Sequence, residues 1–178
     1  MPSSGIFTNS KKTEWYTPIN IIDAVKRVFI DGIELDVCSS KDANEKIIKA
    51  QRFFTKEYDG LAQKWNASTV WMNHPYGDRN EEWVQKLVDG YLSDKIGQAM
   101  CITYNSTETK WFRPLHSFYQ CYLYKRVSFV DPTTLKRVNG SQKGNVITYL
   151  GADILGFVGA FKELGSIKQE LGYKKDEK

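Results

Sequence analysis

The chain has 178 residues, 41% hydrophobic and 13% aromatic, enough for one packed core and unlike a disordered or fibrous protein. Its net charge of +4 permits a nucleic-acid partner without demanding one, and is far from that of a histone or a basic tail. The three cysteines (Cys38, Cys101, Cys121) form no CxxC pair, and His74 and His116 stand apart from other ligand types, which argues against a disulfide framework and a metal site.

Residues 1–13 are polar, rich in Ser, Thr, Asn and Lys, and lack an apolar signal segment. No apolar run is long enough for a bilayer, so the expectation is a cytoplasmic protein with no membrane partner. The domain reading is a flexible segment at 1–13, a single domain at 14–171 and a flexible charged tail at 172–178. "TPINIIDAVKRVF" predicts a helix, with Thr17 as its cap, Pro18 at the first helical position, and Ile21, Ile22, Val25 and Val28 or Phe29 as its apolar stripe. "IELDVC" predicts a strand ending near Asp36, and "SSKDANEKIIKA" a loop with a short helical piece. "QRFFT" and "STVWMN" are the next strands.

"EEWVQKLVDGYL" predicts a helix with Trp83, Leu87 and Tyr91 on one face and two acidic residues in its first turn. "QAMCITYN" is a fourth strand, and "TETKWFRPLHSF" starts as a helix that Pro114 kinks or shortens. "CYLYKRVSFV" and "NVITYLG" are two more strands around the polar loop 131–144. Helical signal returns over 153–171, interrupted by Gly156, Gly159 and Gly165. This alternation predicts an α/β fold, a mostly parallel central sheet flanked by helices and closed by a C-terminal antiparallel hairpin. Ligands of such sheets bind outside the carboxyl ends of the strands, where Asp36 and Asn73 fall.

The segment Asn73-His74-Pro75-Tyr76 suits an exocyclic amine on a planar ring, such as N6 of adenine. That nitrogen is a poor nucleophile because its lone pair is delocalised. The Asn73 side-chain oxygen and the His74 carbonyl, held in direction by Pro75, can accept its two hydrogens, while Tyr76 offers a stacking face. Taken alone the four residues also read as a polar turn after a strand.

Their neighbours extend the pattern: "EWYTP" at 14–18, "ELDVCSS" at 34–40, "FFTKEYDGLAQKW" at 53–65, "WMNHPYG" followed by "EEWV", then "CITYNSTETKWF" and "KRVSF". In this order, from Glu14 to Gly151, they resemble the phage-type DNA adenine-N6 methyltransferase family. The resemblance implies a Rossmann-like methyltransferase fold, S-adenosyl-L-methionine as cofactor, DNA as partner, and a phage or prophage gene acting in a bacterial cytoplasm. It implies that Asn73, His74, Pro75 and Tyr76 carry the catalysis. Tyr16, Thr17 and Pro18 would contact the methionine end of the cofactor, Asp36 its amino group or ribose with Cys38 alongside, and Asp59 the ribose or adenine.

Taken singly, Asp36 also reads as a loop-side cap and Asp59 as an Asp-Gly turn residue. Arg79, Lys110, Arg113, Lys136, Arg137 and Lys143 are candidate phosphate contacts, each of which also reads as solvated surface. The tryptophans read as core rather than base-stacking groups. Two features depart from the family pattern: Val37-Cys38-Ser39-Ser40 stands where a glycine-rich turn is usual, and His74 replaces a proline. They keep open a binding protein that has lost turnover, beside the same chemistry on RNA or a protein amide. No residue pattern sets a recognition sequence or an oligomeric state.

Overall fold

The stripe Ile21, Ile22, Val25 and Val28 is buried on helix α1 (Ile19–Val28) of the computed structural model, which describes residues 15–131, 136–137, 141 and 143–170. The expected flexible segments 1–13 and 172–178 lie outside the described residues. The helix start differs from the prediction. Pro18 is itself the cap, in extended conformation (φ −60°, ψ 143°), and Thr17 makes no capping bond. The Thr17 hydroxyl is used elsewhere, as described below.

Seven strands form one sheet: β1 (Leu35–Asp36), β2 (Arg52–Phe53), β3 (Ala67–Met72), β4 (Ile96–Tyr104), β5 (Tyr119–Leu123), β6 (Asn145–Leu150) and β7 (Gly165–Lys168), in the order β2-β1-β3-β4-β6-β5-β7. The β2-β1-β3-β4 half pairs in parallel. The other half pairs antiparallel throughout, so the sheet is mixed. β1 to β5 run one way; β6 and β7 run the other. The two late strands pair antiparallel, as expected, but with β6 between β4 and β5 and with β7 added beyond β5. β7 occupies sequence read as helical. Helix α4 (Ile154–Phe161) stops, residues 162–164 turn, and the chain re-enters the sheet at Gly165. A Cβ on Gly165 would lie 2.4 Å from the Tyr122 carbonyl oxygen, so the strand reaches β5 there only as glycine.

Side chains alternate across the sheet and divide the core in two. Trp71, Met100, Ile102, Ile147 and Tyr149 face α1 and α4. Val70, Met72, Ala99, Cys101, Val146 and Leu150 face the opposite layer, built on α3 (Asn80–Leu92) through Trp83, Val84, Leu87 and Val88. Between β1 and β2 lies a short helix α2 (Lys41–Ala43), capped by the Ser40 hydroxyl and continued by a wider turn at Asn44–Ile48. The helix expected after Thr107 is reduced to a 3₁₀ turn at Arg113–Leu115, consistent with Pro114 lacking an N–H to extend it. No described helix is long and apolar enough to cross a membrane, and no group of three or more His, Cys, Asp or Glu among the described residues could hold a metal ion.

Candidate active site

Two adjacent parallel strands deliver the two halves of the site. Asp36, the last residue of β1, pairs with Trp71 on β3, so Asp36 and Asn73 leave the sheet side by side at its carboxyl edge. Residues 15–18 cross the same edge. They are tied there by paired backbone bonds between Tyr16 and Val130 (3.0 and 2.9 Å) and by Tyr16 Oη to Ser40 Oγ at 2.8 Å.

These segments enclose a cavity of about 480 Å³, lined by Tyr16, Thr17, Asp36, Cys38, Asp59 and the whole Asn73–Tyr76 segment. Pro18 was expected there and does not line it; it is buried at the start of α1. Trp15, Ser39, Ser40, Lys56, Gly60, Trp71 and Trp83 do line it. From sequence the tryptophans among them read as core. Trp71 and Trp83 are indeed buried, and they serve the core and the cavity wall together. Trp15 and Trp83 belong to the motifs quoted above, which was the available signal.

Asp36 is 2% exposed. One oxygen accepts from the Cys38 backbone N–H at 3.1 Å, and no described lysine or arginine pairs with it. Burial pushes its pKa from the ordinary 3.8 up to about 6, partly opposed by the Cys38 N–H and a bond from Ser39.

Asn73 is oriented by its amide nitrogen, which donates to the Trp15 carbonyl at 2.8 Å and to Thr17 Oγ1 at 3.1 Å. His74 is buried, 1% exposed, and its ring is held rather than free. Nε2 lies 3.0 Å from Asn80 Oδ1, which also accepts from the Gly77 N–H, and the ring stacks on Trp83 at 6.3 Å. An amide oxygen can only accept, so Nε2 carries the proton. Burial lowers the His74 pKa to about 4, against the raising effect of Asn80, and the ring is neutral. Tyr76 is not an open platform on both faces: Tyr104 stacks on it at 4.1 Å, with Lys143 Nζ 5.8 Å from the Tyr104 ring.

Asp59 adopts a left-handed backbone (φ 41°) and accepts from the Leu61 N–H at 3.1 Å. Gly60 follows because of close approach: a Cβ there would sit 2.0 Å from the Val37 carbonyl oxygen and 3.0 Å from the Trp83 ring. Its own carbonyl accepts from Trp65 Nε1 at 2.7 Å, which explains the Asp-Gly-Leu…Trp spacing. Gly60→Ala is expected to destabilise the fold by about 1–3 kcal/mol, because the clash is with backbone and cannot be relieved by a rotamer. Thermal unfolding checks this; an unchanged Tm refutes the contact.

Lys110, Arg113, Lys136, Arg137 and Lys143 are exposed. Arg79 is committed to an ion pair with Glu82 (2.9 and 3.0 Å) and reaches Asp59 at 3.5 Å, on the cavity rim.

No curated protein matches the chain. A family model described as DNA N-6-adenine-methyltransferase (Dam) matches residues 6–153, a span that contains the Asp36 loop, the Asp59-Gly60 turn, the Asn73–Tyr76 segment and the sheet through β6. The chain belongs to the DNA N-6-adenine-methyltransferase (Dam) family.

Proposed function

We propose that the protein methylates N6 of adenine in DNA with S-adenosylmethionine as donor, in the cavity at the carboxyl edge of β1 and β3. The observation that carries this reading is that a single cavity of about 480 Å³, within the usual range for small-molecule sites, is lined both by the Asp36 loop and by Asn73–Tyr76. The residues suit the cofactor. Asp36 is a buried carboxylate that meets backbone and hydroxyl donors but no cation among the described residues, so an ammonium or ribose hydroxyls would complete its shell. Tyr16, Cys38 and Asp59 line the same cavity. When bound, S-adenosylmethionine supplies an electrophilic methyl group.

The chain's own residues act on the amine. Asn73 Oδ1 and the His74 carbonyl accept its two hydrogens, favouring a tetrahedral nitrogen with a localised lone pair. Pro75 restricts the backbone before it and so steadies that carbonyl. His74 is no general base, since its ring is buried and hydrogen-bonded to Asn80. Tyr76, backed by Tyr104, receives the base on its other face. An adenine within a duplex must be extruded first. Lys110, Arg113, Lys136, Arg137 and Lys143 contact phosphates, while Arg79 organises the rim with Asp59 and Glu82.

Incubation with methyl-labelled S-adenosylmethionine and duplex DNA, followed by digestion to nucleosides, tests this. Label is expected in N6-methyldeoxyadenosine. Label confined to RNA or protein competitors in the same mixture, or found in no product, overturns it.

A further inference from the structure

We infer that Thr17 is a positioning residue for methyl transfer: it fixes the Asn73 amide so that Oδ1 faces the target amine. This rests on the reading of Asn73 as an amine acceptor. It separates Thr17 from the cofactor contacts among which its motif would place it.

The Trp15 carbonyl is an acceptor only, and it lies 2.8 Å from Asn73 Nδ2. The amide nitrogen must therefore face residues 15–17. The second amide hydrogen goes to Thr17 Oγ1 at 3.1 Å, and Thr17 is 1% exposed, so water does not compete for that contact. Turning the amide over would set two oxygens against each other at Trp15, although the Thr17 hydroxyl could then donate to Oδ1; the Trp15 carbonyl therefore sets the orientation, and Thr17 holds the amide plane in it. Oδ1 is left on the opposite side, and no described residue donates to it. Thr17 and Trp15 thus hold as donor the half of the amide that the amine does not need, and leave the acceptor half for the substrate. Because Tyr16 is bonded to Val130 and Ser40, this clamp is anchored to two other segments, of which Ser40 lines the cavity.

The test compares Thr17→Val, which keeps the shape and removes the hydroxyl, with Thr17→Ser, which keeps the hydroxyl. At saturating cofactor and DNA, Thr17→Val is expected to lower kcat about 10- to 100-fold through misplacement of Asn73, with cofactor Kd within about twofold of wild type, and Thr17→Ser to restore most of kcat. A raised cofactor Kd with kcat recovered at saturation overturns the inference in favour of a cofactor contact.

The apo protein supplies a readout free of activity. The Asn73 side-chain NH₂ resonances, identified by their loss in Asn73→Asp, are expected to be shifted and slow to exchange in wild type, with one of the two released in Thr17→Val. Fast exchange of both in wild type overturns the clamp even if Thr17→Val fails to fold. Absence of methylation by wild type refutes the functional reading instead, and leaves the NMR result to decide the clamp.

Discussion

Asn73→Ala is expected to lower kcat by about 10²–10³-fold while leaving cofactor affinity nearly unchanged, because it removes one oriented acceptor that acts most strongly in the transition state. The side chain sits where β3 leaves the sheet, beside the Asp36 loop but anchored to residues 15–17 rather than to that loop. Binding and chemistry therefore separate, and the loss belongs in kcat. Asn73→Asp is the sharper variant. It supplies an acceptor but turns a second oxygen toward the Trp15 carbonyl, where the wild type has a 2.8 Å hydrogen bond. An intermediate loss of kcat is expected, with Tm lowered because that contact becomes repulsive. Steady-state kinetics with calorimetric cofactor binding checks both. A folded Asn73→Ala protein with wild-type kcat would remove the amide from the mechanism.

The site was legible where local sequence and strand geometry coincide. Apolar runs ending in Asp36 and Asn73 mark strand ends, and adjacent parallel strands put such ends together. The family pattern gave Asp59 and Thr17 site roles, where the local sequence reads one as a turn residue and the other as a helix cap. What stayed hidden depends on contacts distant in sequence. Thr17 meets Asn73 across 56 positions, so its exchange of a capping role for a clamp could not be seen from "WYTP" alone. His74 is one of the two departures from the family pattern, and its ring is fixed by a contact that the motif does not show. Its partner, Asn80, lies only six residues on, but the bond needs the turn 77–79 to bring α3 back onto the loop. Arg79 pairs with Glu82 three positions later, the spacing of a helical ion pair, a contact visible in the sequence once α3 is placed. β7 was missed because glycine-interrupted apolar sequence reads as a weak helix, while its strand state is imposed by the free edge of β5.

Asp36→Asn is expected to abolish measurable cofactor binding and to make the apo protein more stable at pH 7. The two effects have one cause. A pKa raised from 3.8 to about 6 means that the ionised carboxylate is held at a disadvantage of about 3 kcal/mol in the folded chain. Asparagine keeps an acceptor for the Cys38 N–H without the buried charge, so a gain of about 1–3 kcal/mol at pH 7 is expected, seen as a Tm several degrees higher.

The sign follows from proton counting. Between about pH 4 and 6 the folded wild type binds the Asp36 proton more tightly than the unfolded chain, so this group's contribution falls as pH rises through that window. His74 acts oppositely: it stays neutral in the fold down to about pH 4 while the unfolded histidine protonates near 6.5, so its contribution is lost as pH falls between those values. In wild type the two slopes oppose each other. Asp36→Asn removes one of them, so its stability advantage should be largest above pH 6, vanish near pH 4, and leave a steeper acid loss due to His74. Cofactor affinity of wild type should fall as pH drops through about 6, since only the ionised carboxylate is the acceptor that an ammonium or ribose requires. Thermal melts and calorimetry across pH 4 to 8 read both effects. An Asp36→Asn stability gain of equal size at both ends of that range would mean that buried charge is not its source, and retained cofactor affinity would mean that Asp36 is a loop residue alone. The pairing of lost binding with gained stability is what distinguishes a carboxylate buried for a ligand from one buried for the fold.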